Sequence, residues 1–351
     1  ESLQSQYRQK FEQVFGYFPS QAKIEIDSLR IRIASPAATE QEETFASKEQ
    51  LVDRSGAGGM DRSEIRPDQI YAGPLFVADS FSTLWVAAGW TVRSGSQGSL
   101  LLERNQEYQG TQNEMPEAAS RELFSSRFLC LAEEMGAQLE RTALSTNVRE
   151  RLDFSCALLN GNGYLVANAP HIPVHLGAMG VFTRSLIKEF PHLSKGDILV
   201  ANHPAFGGSH LPDVSVLAPV FDESNEPVCF LANRAHHAEI GGGSPGSMPA
   251  GSATLEQEGV VLSPQYLFER GESRMDQIEK ALLQAEYPSR QVSENLADLS
   301  AQVASLRYGI DTKEQLIAEY GENEITQQMN ALREESSLSC RHFLEGFGDT
   351  I

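Results

Sequence analysis

His210 and Asp213 lie three residues apart in the run NHPAFGGSHLPD (202–213), a spacing that lets an imidazole and a carboxylate reach one cation. Such a nitrogen and oxygen pair suits zinc, manganese or iron better than calcium or magnesium. A plain turn, with His210 capping a neighbour and Asp213 starting a strand, is the alternative. Gly207 and Gly208 permit positive φ or a close approach, and Pro212 stiffens the segment between the two side chains. Next come His236 and His237, 23 and 24 residues after Asp213 in NRAHHAEIGGG, with an apolar hairpin's length of chain between. Adjacent residues of an extended segment point to opposite sides, so one imidazole can ligate while the other faces substrate or packs. Glu239 could accept a proton from an imidazole and fix its tautomer. Residues 241–249 could present N–H groups to an anion, or simply turn.

A third set, NVRERLD (147–153), precedes the apolar run FSCALL. Glu150 and Asp153 offer carboxylates to a metal, and Arg149 and Arg151 could grip a substrate carboxylate. A solvated charge run is the competing reading. In HIPVHLGAM, Pro173 argues against His171 and His175 as a helical ligand pair, but His175 could line a site from a helix N-terminus. His192 and His342 stand alone. The sequence has no Walker loop, G-x-G-x-x-G or G-x-S-x-G motif, so nothing marks a nucleotide site or a hydrolase serine.

The elements that must position these residues fall into two groups. Leu3, Tyr7, Phe11 and Phe15 share a helical face, and Ile24 to Ile33 alternate as a broken strand. Residues 35–68 show no periodicity and read as a long excursion. Short β runs follow at 75–78, 84–86, 90–92 and 100–102, and polar residues 105–116 read as a linker. Beyond it, Phe124, Phe128, Leu131, Met135 and Leu139 form a helical stripe. Asn160-Gly-Asn-Gly163 marks a hairpin. A helix is expected over 178–190, with strands at 198–201, 214–221 and 228–232 and helices from Met275 onward. The fold class expected is α+β, a small β-rich domain followed by a larger mixed α/β metal-binding domain with a helical C-terminal portion.

The net charge of −20 over 351 residues opposes a nucleic-acid partner. The four cysteines show no paired spacing, which points to a reducing, cytoplasmic setting. No run is long and apolar enough for a membrane span, and no signal peptide heads the chain. The first residue is Glu1, inside a helical pattern, which reads as part of a longer protein.

Three long runs, ERLDFSCALLNGNGYLVANAPHIPVHLGAM, GDILVANHPAFGGSHLPDVSVLAPVF and AHHAEIGGGSPGSMPAG, with ENLADLSAQVASLRYG after them, resemble the hydantoinase B family. FGYFP, IEIDSLRIRI and GPLFVADSFSTLWVAAGWTVRSGSQGSLLLER resemble the end of the partner hydantoinase A family. The resemblance implies a hydantoinase A tail over 1–104, a linker at 105–117 and a hydantoinase B domain over 118–351. It implies ATP-dependent opening of 5-oxo-L-proline to L-glutamate, a step of glutathione metabolism. A kinase-like part outside these residues would bring ATP and magnesium, and this chain would carry the metal-containing hydrolytic part. The resemblance also implies His210, Asp213, His236 and Glu150 as metal ligands and Arg149, Arg151 and Arg234 as substrate contacts. Asp153, His175, His237 and Glu239 would then be catalytic. The expected partners are a small cyclic amide and either further copies of the chain or the kinase-like part.

Two positions depart from the family pattern: His203 stands where hydantoinases and carboxylases carry Asp, and Glu239 replaces the Asp of HHADIGG. A hydantoinase or an acetone or acetophenone carboxylase-type subunit is the alternative within the family. A structural module braced by a metal is the alternative outside it.

Overall fold

The apolar runs before and after NHPAFGGSHLPD pair into a single antiparallel sheet, and that pairing builds the larger of two compact units. The computed structural model describes residues 3–15, 18, 50–53, 59–67, 69–79, 82–95, 99–104, 117–170, 172–222 and 224–345. The larger unit comprises residues 1–24 and 123–351, and the smaller one residues 25–122.

In chain order the elements begin with α1 (Leu3–Phe15), which lies against a later helix of the larger unit. The smaller unit contains β1 (Gln50–Asp53), β2 (Met60–Asp61), β3 (Gln69–Ala72), β4 (Leu75–Ala78), β5 (Thr83–Val86), β6 (Trp90–Ser94) and β7 (Leu100–Arg104). They form a four-stranded sheet, β1-β3-β6-β7, and a three-stranded one, β2-β4-β5. Tyr71, Leu75, Val77, Val86 and Val92 are its buried core. Two strands, β1 and β2, fall inside the stretch expected to be an excursion, because strands of two to four residues are too short to show a period. The strand expected over Ile24 to Ile33 and the linker at 105–116 lie outside the described residues.

The larger unit continues with α2 (Glu117–Thr142), α3 (Thr146–Arg149), β8 (Phe154–Asn160), β9 (Leu165–Asn168) and α4 (Pro173–Glu189). Next come β10 (Ile198–Ala201), β11 (Asp213–Phe221), β12 (Pro227–His236), α5 (Leu255–Glu258), β13 (Gln265–Glu269) and β14 (Glu272–Ser273). Three helices close it: α6 (Met275–Gln284), α7 (Val292–Tyr320) and α8 (Glu322–Glu345). The sheet order is β14-β13-β10-β11-β12-β8-β9, all neighbours antiparallel.

Both faces of this sheet are covered, which explains why its central strands are buried along most of their length instead of in alternation. On one face the α2 stripe and Leu299, Val303 and Leu306 of α7 pack with Cys156, Leu158, Val214, Val216 and Leu231. On the other, Met179, Phe182 and Leu186 of α4 meet Ala157, Leu159, Leu217, Phe230 and Ala232. Each buried Val, Leu, Phe or Met among them contributes roughly 1.5–3 kcal/mol by leaving water.

Two boundaries differ from expectation in ways that matter for chemistry. Pro173 occupies the first turn of α4, where its missing N–H costs nothing, so the helix starts before 178 and takes in His175. β12 runs on to His236, so Arg234 and His236 are strand residues. Among the described residues no helix is long and apolar enough to cross a membrane.

Candidate metal centre

Asp213 begins β11 and His236 ends β12, and the two are paired directly across the strands. Opposed residues of an antiparallel pair project to the same face, which puts both side chains on the α4 side of the sheet. Asp213 is fully buried. Its Oδ1 lies 2.7 Å from His236 Nδ1 and 3.4 Å from His175 Nε2, and its Oδ2 lies 3.1 Å from His210 Nδ1. The His210 backbone N–H also donates to Oδ2, at 3.3 Å. One ligand atom each from His210, Asp213 and His236 lies within 4.8 Å of the other two. Two imidazoles and a carboxylate converging in this way match the donor set and valence of a borderline divalent cation.

Burial by itself would push the Asp213 carboxyl up. The hydrogen bonds and charges of His175 and His236 outweigh it and hold Asp213 well below the usual carboxylate range. His236 shows the complement. Burial works against its charged form, but Asp213, and then Asp153, raise its pKa above the ordinary histidine value despite the opposing Arg151.

The loop carrying His210 is fixed at its base by Asn202, whose amide donates to the Leu211 and Val260 carbonyls and accepts from Leu262 N–H. His203 caps the short turn Pro204–Phe206 through Nδ1, which accepts from Ala205 N–H, so it is occupied within the turn. Gly207 has φ +88°, and a Cβ there would sit 2.7 Å from the Phe182 backbone nitrogen. The glycines thus let the loop press against α4 and its own base, not against a ligand. Arg234, expected to meet substrate, is fully buried and donates to Ser215 Oγ, Ser209 Oγ and the Gly207 carbonyl.

His237 points the other way. Its Nδ1 accepts from Asn295 Nδ2 (3.1 Å) and its Nε2–H donates to Gln302 Oε1 (3.2 Å), both on α7. Burial drives its pKa down against the pull of Asp298 and Gln302, leaving a neutral imidazole held in one tautomer. Glu239 is likewise committed to the scaffold: it accepts from Gly241 N–H, Arg290 N–H, Arg290 Nη1 and Ser289 Oγ. Its carboxylate is thus held by Ser289 and Arg290, outside the His210, Asp213 and His236 cluster. The N–H groups of Gly241, Gly242, Gly243 and Ser247 donate to Glu239, Tyr287, Gln257 and Ser244, so these four are committed within the fold and are not offered to an anion. Replacing His237 by alanine is expected to orphan Asn295 and Gln302 and to open a void, lowering stability by about 2–4 kcal/mol. Urea unfolding of the metal-free protein measures this; an unchanged midpoint would contradict the structural role.

Upstream, Ser145 caps α3 by accepting from Val148 N–H, and Glu150 closes it, exposed and outside the cluster of three ligands. Asp153 is the better placed carboxylate. Its side chain is a third exposed, its Oδ1 lies 3.9 Å from His175 Nε2, and its carbonyl accepts from His236 N–H. Leu152, with φ +55°, holds the strained entry to this position. Arg149 and Arg151 face solvent, and the charge of Arg151 is felt at His236. His175, in the first turn of α4, sets Nε2 toward Asp213 and Asp153 while Nδ1 lies 3.3 Å from Ser155 Oγ. Sequence reasoning missed Ser155, Ser209, Asn295 and Gln302. Only Ser155 carried a signal, as a polar residue on the same strand face as Arg234, its cross-strand partner.

The Hydantoinase B/oxoprolinase family profile matches residues 117–350. An uncharacterized protein of Schizosaccharomyces pombe is 37% identical over 96% of the chain. The 5-oxoprolinase 1 of Arabidopsis thaliana is 42% identical and the 5-oxoprolinase of Saccharomyces cerevisiae 43% identical, each over 65% of the chain. The chain spans 28%, 19% and 19% of the length of these three relatives. Among solved structures, the ATP-dependent caprolactamase of Pseudomonas jessenii shares the fold with a TM-score of 0.59 and 24% identity, over 66% of this chain and 39% of that one. Nucleotide-free acetone carboxylase does so with a TM-score of 0.56 and 19% identity, over 61% of this chain and 28% of that one.

Proposed function

Because the chain belongs to the hydantoinase B/oxoprolinase family, we propose that it carries the metal-dependent hydrolytic part of an ATP-dependent enzyme that opens 5-oxo-L-proline to L-glutamate. The observation that carries this reading is the convergence of His210 and His236 on the buried carboxylate of Asp213. The names of the plant and yeast relatives supply the substrate. In this reading residues 1–104 are the end of a hydantoinase A part, 105–117 a linker and 118–351 the hydantoinase B domain, with α1 packing on the larger unit. A kinase-like part with ATP and magnesium is the partner. The free state of Cys130, Cys156, Cys229 and Cys340 suits a reducing cytoplasm.

His210, Asp213 and His236 would hold the cation, with Asp153 at the open edge. A divalent metal there supplies Lewis-acid polarisation and a water acidified toward neutral pH. The residues of the chain do the rest. Asp213 aims both ligand imidazoles, while Asp153, partly open to solvent, is the base that takes a proton from the attacking water at Oδ1. His175 Nε2, 3.9 Å from Asp153 Oδ1 and 3.4 Å from Asp213 Oδ1, passes that proton on to the leaving ring nitrogen as the C–N bond breaks. Arg149 and Arg151 bind the substrate carboxylate. Glu150, His237, Glu239 and Arg234 have no direct part.

The test uses the full-length protein with ATP against 5-oxoproline, hydantoin and acetophenone. Glutamate release is expected, and it is expected to vanish in His210→Ala while ATP hydrolysis persists. No glutamate from 5-oxoproline would sink the assignment.

A pH dependence follows from the same groups. In the metal-free protein the lowered pKa of Asp213 contributes stability above its unfolded value, lost as pH falls through the folded one. The raised pKa of His236 contributes stability that is complete below about 6.5 and lost as pH rises through the folded value. The pair is therefore strongest between roughly pH 4 and 6.5. Metal must displace the His236 proton, so its stabilisation runs the other way. The rise in Tm on adding metal is expected to grow between about pH 6 and pH 8; an equal rise at both would argue against His236 as a ligand.

A further inference from the structure

We propose that Arg234 is a positioning residue that clamps the His210 arm of the metal centre onto the strand carrying His236. This rests on the metal reading above. Arg234 lies two residues before His236 on β12, paired with Ser215 of β11 on one side and Ser155 of β8 on the other. Its three donors are divided between two elements. Nε donates to Ser215 Oγ at 2.6 Å, on the strand that starts with Asp213. Nη1 donates to Ser209 Oγ at 3.1 Å and Nη2 to the Gly207 carbonyl at 2.7 Å, both on the loop that leads into His210. The guanidinium carbon sits 5.9 Å from the Phe182 ring centroid, so α4 closes the remaining side.

This geometry decides between two roles for a buried arginine. A substrate contact needs accessible N–H groups, and Arg234 is fully buried. An ion pair needs a carboxylate at the guanidinium, and the three hydrogen-bond acceptors recorded for it are neutral oxygens. A planar fork that reaches three acceptors in fixed directions instead fixes the positions of those acceptors relative to each other. The arm needs such a device: the His210 side chain is about half exposed, at 52%, and has little packing of its own to hold its ring toward Asp213. Asn202 secures the base of the loop, and Arg234 secures the residues next to the ligand.

The test measures metal affinity by chelator competition, and the visible absorption of the cobalt-loaded full-length protein, for wild type, Ser209→Ala, Ser209→Thr and Arg234→Lys. Ser209 is a partly exposed loop residue, so its variants fold even if Arg234→Lys does not. Ser209→Ala is expected to weaken metal binding roughly 3–10-fold and Arg234→Lys about 10–100-fold, with altered cobalt spectra, as for losses of outer partners of ligands. Ser209→Thr, which keeps the hydroxyl, is expected to bind as wild type does. Wild-type affinity and spectrum in Ser209→Ala would overturn the clamp while leaving the metal site standing. Failure of wild type itself to bind cobalt would overturn both.

Discussion

Asp213→Asn is expected to abolish ring opening and weaken metal binding by more than the roughly 10–100-fold that loss of an outer partner costs. The side chain keeps its shape but loses the charge on which His210, His236 and His175 all converge. Asn also presents an N–H to one of these imidazoles where Asp presents an acceptor, so at least one ring must turn. Because Asp213 is fully buried, no water can substitute for the lost oxygen at low cost. Titration with cobalt or zinc together with glutamate release measures both effects. A variant with wild-type affinity would remove Asp213 from the ligand set.

The second large effect lies in the backbone. A Cβ on Gly208 would stand 2.3 Å from the Asn202 carbonyl oxygen and 3.0 Å from the carbonyl carbons of Asn202 and His203. These are backbone atoms of the loop's own base and cannot rotate aside. Gly208→Ala is expected to cost about 2–4 kcal/mol and to displace His210, so stability and metal affinity fall together. Gly177 provides the control, because a Cβ there meets nothing within 4 Å in an exposed stretch of α4. Gly177→Ala is expected to stabilise by about 0.5–1 kcal/mol through helix propensity. Denaturant unfolding of both variants is the measurement, and equal stability of the two would contradict the tight packing of the loop.

What the sequence made legible was the set of positions more than their roles. Strand-length apolar runs flanking NHPAFGGSHLPD and preceding NRAHHAEIGGG were enough to expect neighbouring strands with their ends together. Alternation required His236 and His237 to diverge, but could not say which faced the cluster, because that depends on a helix about 60 residues away. Asn295 and Gln302 of α7 claim His237 across 58 and 65 residues of sequence. The same long reach, from Ser289 and Arg290, turns Glu239 into a scaffold residue. The resemblance implies Arg234 as a substrate contact and the apolar run predicts a strand only to Ala232; β12 continues to His236, so the Arg234 side chain lies on the sheet's α4 face. The residue types alone offer both Glu150 and Asp153 as carboxylate ligands, and the resemblance prefers Glu150. The cap of α3 and the turn at Leu152 separate them, and no composition signal encodes either.

The most direct test of the metal centre is elemental analysis of the purified full-length protein beside His236→Ala. The account predicts a stoichiometric divalent transition metal in the wild type and its loss from the variant at unchanged secondary structure. A wild type without such a metal, or a variant that retains the same amount, would contradict it.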